Sequence, residues 1–421
     1  MSLPPSASPL AGGPWNLNSL LAALLFLLGP LVYLAPLSAA VLLPAAAIVA
    51  GLIARGQAAM AWGRIVRALR PWLLLFTLML ASAFWALDGK AALTLALRLI
   101  LVLVLGTALV VWCRDLAGDR LQRLLPALAI GLMLVNLYVL ADFGLGGALA
   151  RLSHAPKENF DFAAYYGRGA TVQAILLAPL GWGLWRAGAR RLAVAQFVLA
   201  AICILATHDL SAKVALAGAV GGGLLVLGLP QLRWAFLALV ALVALGLPLA
   251  FPIQPDRAQE CWMFANKKSA LHRLYIWDFV TDRIAEKPVL GWGLDSARRM
   301  PGGQDSVMLG ENCPGATPIM GQKLPLHPHN AILQTWLELG GLGIVLGFGG
   351  LIATLGAVYA RRRRIVAAVL VASSVAGTLV ALVSYGVWQE WFLSALLLAA
   401  AVSALALRQD DLAAATDGRP V

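Results

Sequence analysis

Between Leu324 and Gly343 the chain reads LPLHPHNAILQTWLELGGLG, which places His327, His329, Asn330, Gln334 and Glu338 at the mouth of an otherwise apolar helix. Pro325 and Pro328 keep the approach extended, and Asn330 is a good N-cap for a helix that begins at Ala331. Asn330, Gln334 and Glu338 recur at every fourth residue and therefore share one face of the first turns. A carboxylate roughly 12 Å into a span, at about 1.5 Å per residue, is costly unless it faces a cavity or a partner or ties helices together. His329 lies at the helix N-terminus, where the positive end of the dipole disfavours imidazolium. Its ring is therefore expected to stay neutral, as a general base must.

Four fixed cations belong to the same chemistry. Arg273 opens an amphipathic helix read over Ser269–Arg299, whose Leu274, Trp277, Val280, Ile284 and Val289 form an apolar face that would lie on the membrane or cap the bundle. Lys213 stands with Asp209 at the outer mouth of an Ala- and Gly-rich helix. Arg168, between Gly167 and Gly169, heads another, with the glycines leaving room for a ligand to reach the backbone. Arg98 is an intramembrane charge about two turns below the outer surface, a functional candidate by default. Converging at one level with His329, these groups suit an anionic lipid headgroup, most naturally a phosphate or pyrophosphate that guanidinium forks can clamp. Arg298 and Arg299 read as solvated. The outer segments hold no Asp-x-Asp pair, and the histidines and cysteines lack zinc-ligand spacing, so the expected site needs no metal and no cofactor.

The elements that position these residues are membrane spans. Of 421 residues, 61% are hydrophobic and 12% charged. The fold class expected is all-α and polytopic, with about twelve spans near 15–34, 36–54, 71–87, 91–113, 121–141, 170–186, 191–207, 212–229, 233–253, 331–360, 365–386 and 388–407. The third span from the end is long enough to tilt or break. The net charge of +12 is spread over short clusters between apolar runs, which argues for topology signals and against a nucleic-acid partner. With both termini inside, the basic clusters of the short connecting loops, from Arg55 to Arg361–Arg364, fall on the cytoplasmic side. Residues 1–253 then carry nine spans, 254–330 form a large outer loop, 331–407 carry three spans, and 408–421 are a cytoplasmic tail. The outer loop gathers nine Lys/Arg, eight Asp/Glu and three of the five histidines, so chemistry belongs there. Cys261 and Cys313 both lie in it. In an oxidising space they would form a disulfide closing most of the loop; the alternative is two free thiols.

His327-Pro-His329-Asn330, followed by Leu333-Gln334, Glu338-Leu-Gly340 and Leu342-Gly343, resembles the signature of the O-antigen ligase and polymerase superfamily. Arg273, Trp277, the Pro288–Gly293 turn and the long preceding loop fit the same pattern. The resemblance covers the architecture of the whole chain, and its specific motifs run from about Thr207 to Gly343. It implies a multi-span glycosyltransferase, similar to the lipid-donor (GT-C) type, in the bacterial inner membrane with its site facing the periplasm. The donor would be a glycan on undecaprenyl pyrophosphate, and the acceptor a sugar hydroxyl of the lipid A core oligosaccharide. The family's essential histidine maps to His329, one essential arginine to Arg273 and a second basic position to Lys213. There this chain reads Ser211-Ala-Lys213 in place of a Ser-Arg-like pair. By this resemblance His329 would deprotonate the acceptor, although the residues alone leave open whether His329 or His327 is the base, and the cations would receive the leaving pyrophosphate with inversion at the anomeric carbon. The other substrate contacts expected are Arg168, Arg98, His327, Asn330, Gln334 and Glu338, with either Glu338 or a loop carboxylate to orient the imidazole. An O-antigen polymerase is the alternative within the family. A secondary transporter is the alternative outside it, although no internal repeat relates the two halves.

Overall fold

Apolar runs broken by Pro, Gly and N-capping Asp or Asn fold here into helices almost throughout. The computed structural model describes residues 17–54, 58–116, 118–153, 161–250, 255–360 and 362–416. Its helices are α1 (Leu17–Leu34), α2 (Ala39–Ala54), α3 (Ala58–Leu69), α4 (Leu73–Ala81), α5 (Gly89–Asp115) and α6 (Gly118–Gly144). Two short pieces, α7 (Ala148–Ser153) and α8 (Phe162–Tyr165), precede α9 (Gly167–Arg186), α10 (Arg190–Ala206), α11 (Leu210–Gly228) and α12 (Leu232–Gly246). Then come α13 (Arg257–Asn266), α14 (Lys268–Glu286), α15 (Ala331–Tyr359), α16 (Arg364–Val383) and α17 (Glu390–Thr416). The only strands among the described residues, β1 (Ser306–Leu309) and β2 (Ile319–Gln322), form an antiparallel hairpin with Met308 opposite Met320.

The chain is thus an all-α polytopic membrane protein. Among the described residues, ten helical stretches are long and apolar enough to cross a bilayer. The other two expected spans are present as α9 and α10, but α10 has 17 residues and α9 carries Arg168, Thr171 and Gln173. Helix α9 packs against α1, α10, α11, α16 and α17, which bury almost all of its first dozen residues. A helix walled in by protein does not need a lipid-compatible surface. The third span also differs from expectation. Helix α3 already runs through the basic stretch before Pro71 and joins α4 through a 3-10 turn.

Residues 255–330 form a folded cap. Cys261 and Cys313 are joined by a disulfide with their Cα atoms 5.2 Å apart. Ile276, Val280 and Ile284 of α14 pack with Ala297, Met300 and Leu324 onto Leu333 and Leu337 of α15. The amphipathic face therefore caps the bundle, while Val289, expected on that face, is exposed.

Candidate active site

Helix α15 breaks at Gly340, whose φ of 64° and ψ of −166° are open essentially to glycine alone. The Pro288–Gly293 turn fills the break. The N–H groups of Trp292 and Gly293 donate to the carbonyls of Leu337 and Glu338, at 2.8 Å each. In return, the N–H groups of Gly341 and Leu342 donate to Pro288 and Val289, at 2.8 and 3.2 Å. Backbone groups freed in a membrane helix must be satisfied internally, and this clasp does so. It leaves Ala331–Leu339 as a short half-helix that lifts the histidine segment to the cap.

Asn330 caps that half-helix, its Oδ1 accepting from the N–H groups of Ile332 and Leu333 at 3.0 Å. His329 precedes it with a φ of 55°, the left-handed region that a residue with a Cβ seldom occupies. Three contacts hold it there. Trp277 Nε1 donates to the Pro328 carbonyl at 2.7 Å, the His329 N–H donates to His327 Nδ1 at 3.2 Å, and His329 Nδ1 lies 2.6 Å from the Ser384 carbonyl oxygen. A carbonyl can only accept, so Nδ1 carries the proton and Nε2 keeps a lone pair. Burial lowers the affinity of this imidazole for a second proton, and Arg273 and His272 add to that, against the pull of the Ser384 carbonyl.

His327 is differently placed. It is 7% exposed, and two donors, the His329 N–H at Nδ1 and Gln389 Nε2 at 3.1 Å from Nε2, compete for the single lone pair of its neutral ring. Burial first, then His329, Arg298 and Arg273, push its pKa down to about 3. Of the two rings, His329 alone presents an available lone pair.

Glu338, one of the carboxylates that could have oriented the base, has other partners. Glu338 is 1% exposed and accepts from the N–H groups of Asp295 at 2.6 Å and Ala297 at 3.4 Å and from Gln334 Nε2 at 3.2 Å. It fixes the turn that carries Arg298, and does not reach the imidazole. Gln334 Oε1 in turn accepts from the Val387 N–H at 3.0 Å. The segment between α16 and α17 is the part that sequence reasoning missed. Ser384 orients His329, Gly386 passes so close that an added Cβ would stand 3.0 Å from His327 Cγ, and Gln389 meets His327. Its SYGVWQ sequence carries no recognisable chemical signature, because two of its contributions are made by backbone atoms or by a missing side chain.

Arg273 is half-buried and neither hydrogen-bonded nor ion-paired to any described residue. Desolvation lowers its pKa, partly offset by Asp209 and Tyr385. Asp209 caps α11 through the N–H groups of Ser211 and Ala212 at 2.8 and 3.2 Å. Lys213 follows one turn later, half-buried and also without a partner among the described residues. The glycines flanking Arg168 serve packing rather than ligand approach, since a Cβ on Gly167 would stand 2.6 Å from Asp209 Oδ2 and one on Gly169 2.4 Å from Tyr33. Arg168 itself is exposed, stacked over Trp391 at 5.8 Å. It shares a cavity of about 770 Å³ with Arg98, Lys90, Trp391, Gln389 and Arg298, the last expected to be merely solvated. Arg98 is partnered by Glu390 at 3.4 Å. The structure thus divides the cations: Arg98, Arg168 and Arg298 line the cavity, Arg273 stands by the histidines, and Gln389 lies between the two groups.

Fold and site together define a polytopic membrane protein with a neutral imidazole and unpaired cations beneath a folded cap. Residues 195–348 match the family model described as O-antigen ligase. Two proteins provisionally named polysaccharide ligases are similar over most of the chain. That of Rickettsia conorii is 31% identical over 66% of this chain and 65% of its own length, and that of Rickettsia felis is 29% identical over 66% of each. The chain is thus similar to the O-antigen ligase family, through the model match over residues 195–348 and through these relatives. It spans 65% of the length of the first relative and 66% of the second.

Proposed function

We propose that this protein is a glycosyltransferase of the O-antigen ligase type, which moves a glycan from undecaprenyl pyrophosphate to a sugar hydroxyl of the lipid A core. The observation that carries the reading is the His329 tautomer: Nδ1–H is committed to the Ser384 carbonyl and Nε2 is left as a base beside an unpaired Arg273. In the reaction, His329 Nε2 takes the acceptor hydroxyl's proton as that oxygen attacks the anomeric carbon. The anomeric carbon–oxygen bond breaks, its electron pair leaves with the lipid pyrophosphate, and Arg273, Lys213 and Arg168 receive the growing negative charge. One displacement inverts the anomeric configuration. The site faces the periplasm of the inner membrane with both termini in the cytoplasm, because the basic ends of the spans belong inside.

The test is transfer from undecaprenyl pyrophosphate-linked glycan to purified lipid A core in detergent, with wild type compared to His329→Ala and Arg273→Ala. Transfer by the wild type that both folded variants lose is the expected result. Lengthening of the lipid-linked glycan instead of transfer to the core would make the protein a polymerase. Neither activity, together with solute flux in proteoliposomes, would make it a transporter.

A further inference from the structure

Gln389 and His327 stand in series between the cavity and His329, and each side chain is a donor at one end and an acceptor at the other. A primary amide offers an oxygen and an NH2 group, and a neutral imidazole offers one N–H and one lone pair. Trp391 Nε1 faces Gln389 Oε1 at 3.1 Å, Gln389 Nε2 lies 3.1 Å from His327 Nε2, and the His329 N–H faces His327 Nδ1 at 3.2 Å.

The series begins and ends on a group that can only donate, the Trp391 indole N–H and the His329 backbone N–H. Neither meets another acceptor among the described residues. If Trp391 donates to the amide oxygen, the amide NH2 must donate to His327 Nε2, and Nδ1 then bears a hydrogen that opposes the His329 N–H. If Nδ1 instead accepts from His329, Nε2–H must donate to a turned amide oxygen, and the NH2 group then opposes the Trp391 N–H. One contact is donor against donor for either orientation of the amide and either tautomer of the ring. Protonating His327 makes both of its nitrogens donors and worsens the misfit. An unmet buried donor destabilises whichever arrangement contains it.

Relief is open at one end of the series. His327 is buried and the His329 N–H lies behind it, in a residue held at a φ of 55°, whereas Gln389 and Trp391 line the cavity of about 770 Å³. An oxygen with two lone pairs, seated there between Trp391 Nε1 and a turned Gln389 amide, accepts from both. Gln389 Oε1 then accepts from His327 Nε2–H, His327 Nδ1 accepts from the His329 N–H, and every donor has a partner.

We propose that Gln389 is a positioning residue for His329, switched by a sugar hydroxyl in the cavity, a proposal that rests on the transfer reading for the identity of this ligand alone. The hydroxyl turns the Gln389 amide, the amide sets the His327 tautomer, and that tautomer secures the backbone N–H of the residue that carries the base. The base is therefore fully held only when the cavity is occupied.

The test is the ring-nitrogen NMR spectrum of the full chain labelled at histidine in detergent, with the His327 signals assigned by their loss in His327→Asn. Wild type alone should show an Nδ1–H population of His327. Core oligosaccharide released from lipid A, or undecaprenyl pyrophosphate-linked glycan, added separately to saturation, should convert it to the Nε2–H form, and the one that does so is the glycan the cavity holds. Gln389→Glu places an acceptor at both ends of that side chain, so it should show the Nε2–H form without glycan. Trp391→Phe removes the competing donor without adding charge and should do the same. A wild type already wholly in the Nε2–H form, a tautomer that neither glycan moves, or a Gln389→Glu variant that keeps the Nδ1–H population overturns the proposal. A merely structural Gln389 would lower the melting temperature on substitution and leave the tautomers unchanged. Transfer is assayed on the same samples. A glycan that shifts the tautomer without being transferred refutes the ligase reading and supports the switch, and transfer with an unmoved tautomer refutes the switch and supports the ligase.

Discussion

His329 Nδ1 and the main-chain oxygen of Ser384 lie 2.6 Å apart, although 55 residues separate them in the chain. The relationship fixes the tautomer of the candidate base from the far end of α16. The orienting group is a backbone carbonyl, so no side-chain substitution at position 384 removes it.

His329→Ala should therefore abolish transfer by a factor on the order of 10² to 10⁴, the usual contribution of a positioned base, with little change in thermal stability. In the wild type the acid limb of the kcat/KM profile should lie below 6.5, because the imidazole pKa is lowered by burial and protonation of Nε2 removes the base. An acid limb above 6.5 would contradict the geometry.

Arg273→Lys should keep the charge and lose the fork, and Arg273→Ala should lose both, so activity should fall in that order while the fold persists. By the same argument Lys213→Arg should be tolerated and lower KM for the lipid donor, since arginine can bind two phosphate oxygens at once. Steady-state kinetics with varied donor would check both.

His327 should act on stability rather than as a base. The unfolded chain takes up its proton near 6.5, whereas the folded ring does so only near 3, so folding stability should decline as pH falls from 6.5 toward 3. His327→Asn, whose side-chain oxygen can still accept from the His329 N–H, should flatten that decline and retain most activity. Melting curves across this pH range, run with the transfer assay, would show it.

Gly340→Ala should be among the most damaging single changes in α15. Its Cβ would meet Val289 O at 2.2 Å, and its φ of 64° adds strain on the order of 1–3 kcal/mol. Loss of folded protein in detergent by size-exclusion chromatography is the expected readout.

Removing the disulfide with Cys261→Ser and Cys313→Ser should loosen the cap by about 2–4 kcal/mol, since the bond closes a long segment. The free thiols Cys113 and Cys203 are buried, so a mobility shift on reduction should be lost in the double variant.

Much of this protein is written in local sequence. Runs of apolar residues fix the spans, because the bilayer requires each of them to satisfy its own backbone. The cap at Asn330 could be read directly, because N-capping depends on residues only two or three apart. His329 and Arg273 were recognisable because their spacing along one chain carries a pattern. Tertiary structure alone decided which histidine keeps a lone pair, since that depends on the Ser384 carbonyl and the Gln389 amide arriving from another helix pair. It also turned Glu338 from a candidate ligand into the anchor of the Pro288–Gly293 turn, and set Arg298 in the cavity with Arg98 and Arg168. Sequence specifies which groups exist and which neighbours they have within a turn or two. Hydrogen bonds and burial between helices, which set proton positions and charge, exist only once those helices have packed.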